Sequence, residues 1–229
     1  MSVIILSYPL ILLNLKTYKE AMGYNALEFA RIAEQVYEKT GISIAVAPQL
    51  VDLQSVTDSS DTPVFAQHVD PVNYGKYTGH VLPESVAEAG GSGTLLNHSE
   101  RQIPLDIIEA SIKRSREAEL ETVVCVETVD MAVKVAAFGP DAIAIEPPEL
   151  IGSGISVSKA RPEIVSGAVD AVKKVDPKIK VLCGAGITNG EDASKALELG
   201  AQGILVASGV VKADDPYKAL LELARAMQH

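Results

Sequence analysis

Four polar residues stand where strand-length apolar runs give out: Asn14 and Lys16 after the first run, His98 after the fourth and Glu146 after the sixth. Together they offer a carboxylate that can take a proton, an imidazole that can pass one, and an ammonium and an amide that can stabilise an oxyanion. Glu146 ends the run Ala142-Ile143-Ala144-Ile145, so its carboxylate is expected to be partly desolvated, either as a base or as half of an ion pair. His98 precedes Ser99-Glu100, which reads as a helix start. The positive end of a helix disfavours an imidazolium and suits a neutral functional ring; a satisfied structural histidine is the alternative. Lys16 taken alone reads as a solvated loop lysine.

The glycines add a second signal. Gly152-Ser153-Gly154, Gly184-Ala185-Gly186 and Ser208-Gly209 follow the sixth, seventh and eighth runs. Turns without bulky side chains can aim main-chain N–H groups at an anion, or can simply supply positive φ. Their recurrence at neighbouring strand ends favours phosphate, which α/β barrels place near strands seven and eight.

Groups so far apart in sequence meet only if the fold gathers strand ends. Eight runs read as strands, at residues 10–15, 43–47, 64–67, 93–97, 122–126, 142–145, 179–182 and 203–206. They are nearly continuous in Val, Ile, Leu and Ala, the pattern of strands buried on both faces. Between them, helical periodicity covers residues 26–40, 104–119, 129–138, 163–175, 191–199 and 216–227, with Gly41 and Gly200 as left-handed caps. Residues 49–57 are a short unit, and 70–83 read as a long loop. Eight such units over 229 residues allow about 29 residues each. That predicts a (β/α)8 TIM barrel with short helices, one domain spanning 1–229. The rival doubly wound sheet should carry GxGxxG after its first strand; Asn14-Leu15-Lys16-Thr17 stands there instead, and no Walker A pattern occurs.

With 20 basic and 30 acidic residues the net charge is −10, which argues against nucleic-acid or anionic-membrane partners but not against a small anion in a locally positive pocket. Cys125 and Cys183 are too few for a disulfide framework or a zinc site, and they read as buried reduced thiols. Pro9 breaks the apolar start, no basic residue precedes it, and no apolar stretch reaches the ~18 residues of a membrane span. The expectation is a soluble, cytoplasmic protein.

In their order, Asn14-Leu15-Lys16, the stretch Thr94-Leu95-Leu96-Asn97-His98-Ser99-Glu100-Arg101, and Ile145-Glu146-Pro147-Pro148-Glu149-Leu150-Ile151-Gly152-Ser153-Gly154 resemble the triosephosphate isomerase family in its short, archaeal-type form. The resemblance implies a metal-free and cofactor-free isomerase acting on a small phosphorylated triose. In it Glu146 is the base, His98 the neutral electrophile, Lys16 the oxyanion-stabilising cation, Asn14 its companion, and Glu100 the acid beside the lysine. It further implies phosphate contacts from Ile151, Gly152, Ser153, Gly186, Ala207 and Ser208, and a lid over 146–155. Gly186 stands where many relatives carry serine, and Ala207-Ser208 where a Gly-Gly pair is frequent. Residues 75–80 resemble the segment that inserts into a partner subunit, with Thr78 reaching the neighbour's site and His80 replacing a common glutamate. A homodimer is then the minimum unit, and pairing of dimers into a homotetramer is left open. His68 and His229 are expected to be an ordinary loop residue and a frayed terminus. Two rivals stay on the table: a metal-dependent sugar-phosphate epimerase, and a non-catalytic phosphate-binding barrel.

Overall fold

The computed structural model describes residues 6–147 and 156–228. Strands β1 (Leu10–Asn14), β2 (Ser43–Ala47), β3 (Phe65–Ala66), β4 (Gly93–Leu96), β5 (Glu121–Val126), β6 (Ala142–Ile145), β7 (Lys180–Cys183) and β8 (Gly203–Val206) are all parallel, in the order β2-β1-β8-β7-β6-β5-β4-β3. A bridge between Val46 and Val64 joins β2 to β3 and closes the ring, so the fold is a (β/α)8 TIM barrel. β3 is shorter than its sequence predicts because Val64 makes only that bridge.

The continuous apolar runs are explained by two cores. Leu10, Leu12, Ala45, Ala47, Phe65, Leu95, Val123, Ala142, Ala144, Leu182 and Leu205 fill the barrel interior. Their neighbours in sequence, such as Ile11, Leu13, Ile44, Val124, Ile143 and Val181, point outward under the helices. Because successive side chains alternate, the inward set predicts what faces the axis one step past each strand.

The helices are α1 (Tyr24–Thr40), α2 (Leu50–Thr57), α3 (Pro83–Glu88), α4 (Leu105–Glu117), α5 (Val129–Ala136), α6 (Val157–Ala160), α7 (Pro162–Val175), α8 (Gly190–Glu198), α9 (Ser208–Val211) and α10 (Pro216–Ala226). Gly41 caps α1 at φ 70°, its N–H donating to Tyr37 O at 2.7 Å, and Gly200 has φ 93° beyond α8. Thr128, Asn189 and Asp215 accept N-capping bonds at α5, α8 and α10. Two expectations need correction. The stretch 70–83 is not loop throughout, since Pro83 opens α3. Ser99-Glu100 does not start a helix: Arg101 N donates to His98 O in a single turn, and the next helix begins at Leu105. Among the described residues, no helix is long and apolar enough to cross a membrane.

Candidate active site

The alternation that fills the barrel also builds its upper rim. Leu12, Ala144 and Leu182 point inward, so Asn14, Glu146 and Gly184 do so at the next inward position. β6 and β7 run in register with Ile145 beside Cys183, and Gly184 N donates to Ile145 O at 3.1 Å, which sets Gly184 against Glu146. A Cβ on Gly184 would lie 2.3 Å from Glu146 Cγ and 2.8 Å from Oε1. The carboxylate is 5% exposed, and its Oε2 has no hydrogen-bond partner among the described residues. A buried carboxylate oxygen left unpaired is costly, and here it is available to receive a proton.

His98 Nε2 lies 3.9 Å from that Oε2. On the other side of the ring, Glu100 N donates to His98 Nδ1 at 3.2 Å. A main-chain N–H can only donate, so Nδ1 acts as the acceptor in this contact, which leaves Nε2 as the ring nitrogen that can donate. Glu100 Oε2 stands 3.6 Å from Nδ1, too far for a hydrogen bond, and does not compete. The main-chain N–H that meets the ring thus comes from a single turn and not from the helix N-terminus the sequence suggested.

Lys16 is held at φ 48°, its N–H donating to Asn14 Oδ1 at 2.9 Å. Gln67 Nε2 fixes the same turn from the residue after β3, donating to Lys16 O at 2.9 Å and Ala47 O at 3.0 Å. Lys16 Nζ meets Glu100 Oε1 at 2.9 Å, with the lysine 12% and the glutamate 59% exposed. An anion arriving at Lys16 can displace so exposed a partner at little cost. Asn97 (φ 55°) braces the histidine turn, donating to Cys125 O at 2.9 Å and accepting from Ile103 N at 3.0 Å. Lys16, Asn97 and Ala185 (φ 58°) thus place left-handed, side-chain-bearing residues on the loops at this rim. Such strain persists where the surroundings over-determine it, and functional sites collect it.

A cleft of about 350 Å³ gathers these groups: Asn14, Lys16, His98, Glu100 and Glu146 line it together with Gly186, Ala207 and Ser208. Two other hollows, of about 280 and 650 Å³, contain none of them. Ile151, Gly152 and Ser153, and the 148–155 part of the expected lid, lie outside the described residues, as does His229. Thr78 is exposed on the loop with Tyr74 and Tyr77 and does not line the cleft of its own chain. His68, expected as an ordinary loop residue, is instead buried, with Nε2 3.1 Å from Asp70 Oδ1. The sequence reading passed over Tyr18, Ile187 and Thr188, which also line the cleft. It also grouped Gly184 with phosphate-binding turns, whereas its contact is with Glu146.

Both cysteines are buried and free. Burial pushes each thiol well above the usual range, reinforced by the nearby negative charge of Glu146. Among the described residues, no group of three His, Cys, Asp or Glu side chains is placed to hold a metal ion.

The family description "Triosephosphate isomerase" matches residues 9–227. The chain is 52% identical over 217 residues to the triosephosphate isomerase of Methanosarcina barkeri, covering 95% of this chain and 98% of that one. It is 52% identical over 216 residues to that of Methanocaldococcus jannaschii (94% and 99% covered) and 54% identical over 217 residues to that of Methanosarcina acetivorans (95% and 98% covered).

Proposed function

The chain belongs to the triosephosphate isomerase family, and from that premise we propose how its own residues interconvert dihydroxyacetone phosphate and D-glyceraldehyde 3-phosphate. Glu146 removes a proton from the carbon beside the substrate carbonyl, and the electron pair moves onto the carbonyl oxygen to form an enediolate. His98, neutral and donating from Nε2, hydrogen-bonds that oxygen and passes a proton between the two enediolate oxygens. Glu146, now protonated, returns its proton to the neighbouring carbon. This enzyme is itself a standard example of a carboxylate base paired with a neutral histidine. Lys16 supplies positive charge where the oxyanion develops and Asn14 holds its turn; losing one preorganised donor of this kind costs about 3 kcal/mol. Gly186, Ala207 and Ser208 receive the phosphate with main-chain N–H groups, and Ile151, Gly152 and Ser153 complete that role from the segment 146–155.

One observation supports this assignment: the unpaired Oε2 of Glu146 lies 3.9 Å from Nε2 of His98, whose Nδ1 accepts from Glu100 N, in a cleft that Lys16 also lines. We further infer a one-domain, cytoplasmic enzyme that works as at least a homodimer. Thr78 of the exposed loop 73–80 would then enter the partner's cleft. Isomerisation of glyceraldehyde 3-phosphate with a chelator present tests the reading. The wild type turns over, while Glu146→Gln collapses turnover and keeps phosphate-ligand binding. Loss of wild-type activity on chelation would favour the epimerase; ligand binding without turnover would favour the non-catalytic barrel.

A further inference from the structure

Asp192 is a carboxylate only 3% exposed that takes no part in the chemistry above. It lies in the first turn of α8, where an acid is unremarkable as a helix-dipole partner, yet its contacts run sideways. Oδ2 accepts from both Thr188 N and Thr188 Oγ1, each at 3.0 Å. Oδ1 accepts from Lys159 Nζ at 3.0 Å, and the main-chain oxygen accepts from Ser158 Oγ at 3.1 Å. Its own N–H is used by Asn189 Oδ1 at 3.0 Å. A buried carboxylate is tolerated when paired and hydrogen-bonded, and here every polar atom is engaged.

These contacts join the cleft wall to α6, which it also meets through a main-chain bond. Thr188 ends the cleft wall 185–188; Ser158 and Lys159 belong to α6, and Val157 N of α6 donates to Ala185 O at 3.3 Å. The wall between those two attachment points contains Ala185 at φ 58° and Gly186 at φ 71°. Alanine occupies the left-handed region only where its surroundings impose it. One end of the turn is tied to α6 directly. The other is tied to Asp192, which also grips α6 through Ser158 and Lys159.

We propose that Asp192 is a positioning residue for the isomerase reaction: it locks α6 and the turn at Ala185–Gly186 into one unit and so aims the Gly186 N–H at the substrate phosphate. This rests on the functional reading above, in which Gly186 is a phosphate contact.

The test measures kcat and KM for glyceraldehyde 3-phosphate, and calorimetric binding of inorganic phosphate, in Asp192→Ala, Asp192→Asn, Thr188→Val and Lys159→Met. Asp192→Ala is expected to raise KM and the phosphate Kd about tenfold, the scale of one lost charge-assisted hydrogen bond, while kcat changes far less. Asp192→Asn, which can still accept from Thr188, should recover part of that loss. Glu198→Gln, further along α8 and paired with Lys195, should behave as wild type. Should Asp192→Ala fail to fold, Thr188→Val combined with Lys159→Met removes the two side chains that grip the Asp192 carboxylate, leaving the Thr188 N–H, and should still raise KM. Glu191→Gln controls for the Lys159–Glu191 pair lost with them. Unchanged KM and phosphate Kd in a folded variant would overturn the proposal while leaving an active wild type, and therefore the isomerase reading, intact. A uniform fall in kcat and thermal stability with KM unmoved would likewise overturn it, marking Asp192 as structural only.

Discussion

Replacing Gly184 by alanine probes the catalytic geometry with one methyl group. Gly184 does not have positive φ, so alanine is accepted by the backbone and the effect is steric. The new Cβ would lie 2.3 Å from Glu146 Cγ, roughly 1 Å inside ordinary contact at 3.4 Å. Cγ sits close to the main chain and cannot yield as the tip of a side chain would, so the carboxylate must swing by about 1 Å. Misplacement by about 1 Å costs on the order of 10²-fold in rate, or about 2.7 kcal/mol of transition-state stabilisation. Steady-state kinetics should therefore show kcat down about 10²-fold. The Kd for inorganic phosphate, which we assign to Gly186, Ala207 and Ser208, should change far less. A folded Gly184→Ala with wild-type kcat would refute the claim that Glu146 works from the pose described here.

Lys16→Met removes the cation from the oxyanion site and should lower kcat/KM by about 10²–10³-fold, the range for one lost donor, in the same assay. Burial, and then the charge of Asp141, raise Glu121 to about 7. An acid raised in the folded state stabilises fully below its unfolded value near 4.5, and that stability is lost as pH rises through about 7. Thermal melts should accordingly show Glu121→Gln gaining on the wild type between pH 5 and 8, by on the order of 1 kcal/mol after screening at a partly exposed site. Cys125 and Cys183 should both resist a disulfide reagent in the native protein at pH 8 and react on unfolding. A fast native thiol would contradict their burial.

Much of this architecture is legible in the chain because a parallel strand buried on both faces must be apolar along its length. β2, β6 and β8 begin and end where the sequence predicts. Boundaries drift by a residue elsewhere: Glu121 extends β5 outward as a polar end, whereas β7 starts one residue late, at Lys180, and runs on to Cys183. α6 and α9, at four residues each, are too short to show a helical period. That Asn14, Lys16, His98 and Glu146 would share one cleft was legible because a charged or polar residue ending an apolar run is conspicuous. Gly184 and Asp192 were not, for a shared reason. A glycine in a turn and an acid in a helix's first turn both have ordinary local explanations. Only the β6–β7 register reveals the first as room for Glu146, and only the packing of α6 reveals the second as a buried grip.

Turnover in D2O tests the central claim most directly, because it follows the proton and not the product. If Glu146 abstracts a carbon proton in a cleft shared with neutral His98 and Lys16, the wild type will place solvent deuterium on carbon in both product and recovered substrate. Glu146→Gln, folded and still binding phosphate, will place it in neither. Deuterium entering carbon at the wild-type rate in Glu146→Gln would contradict the account, since some other group would then be the base.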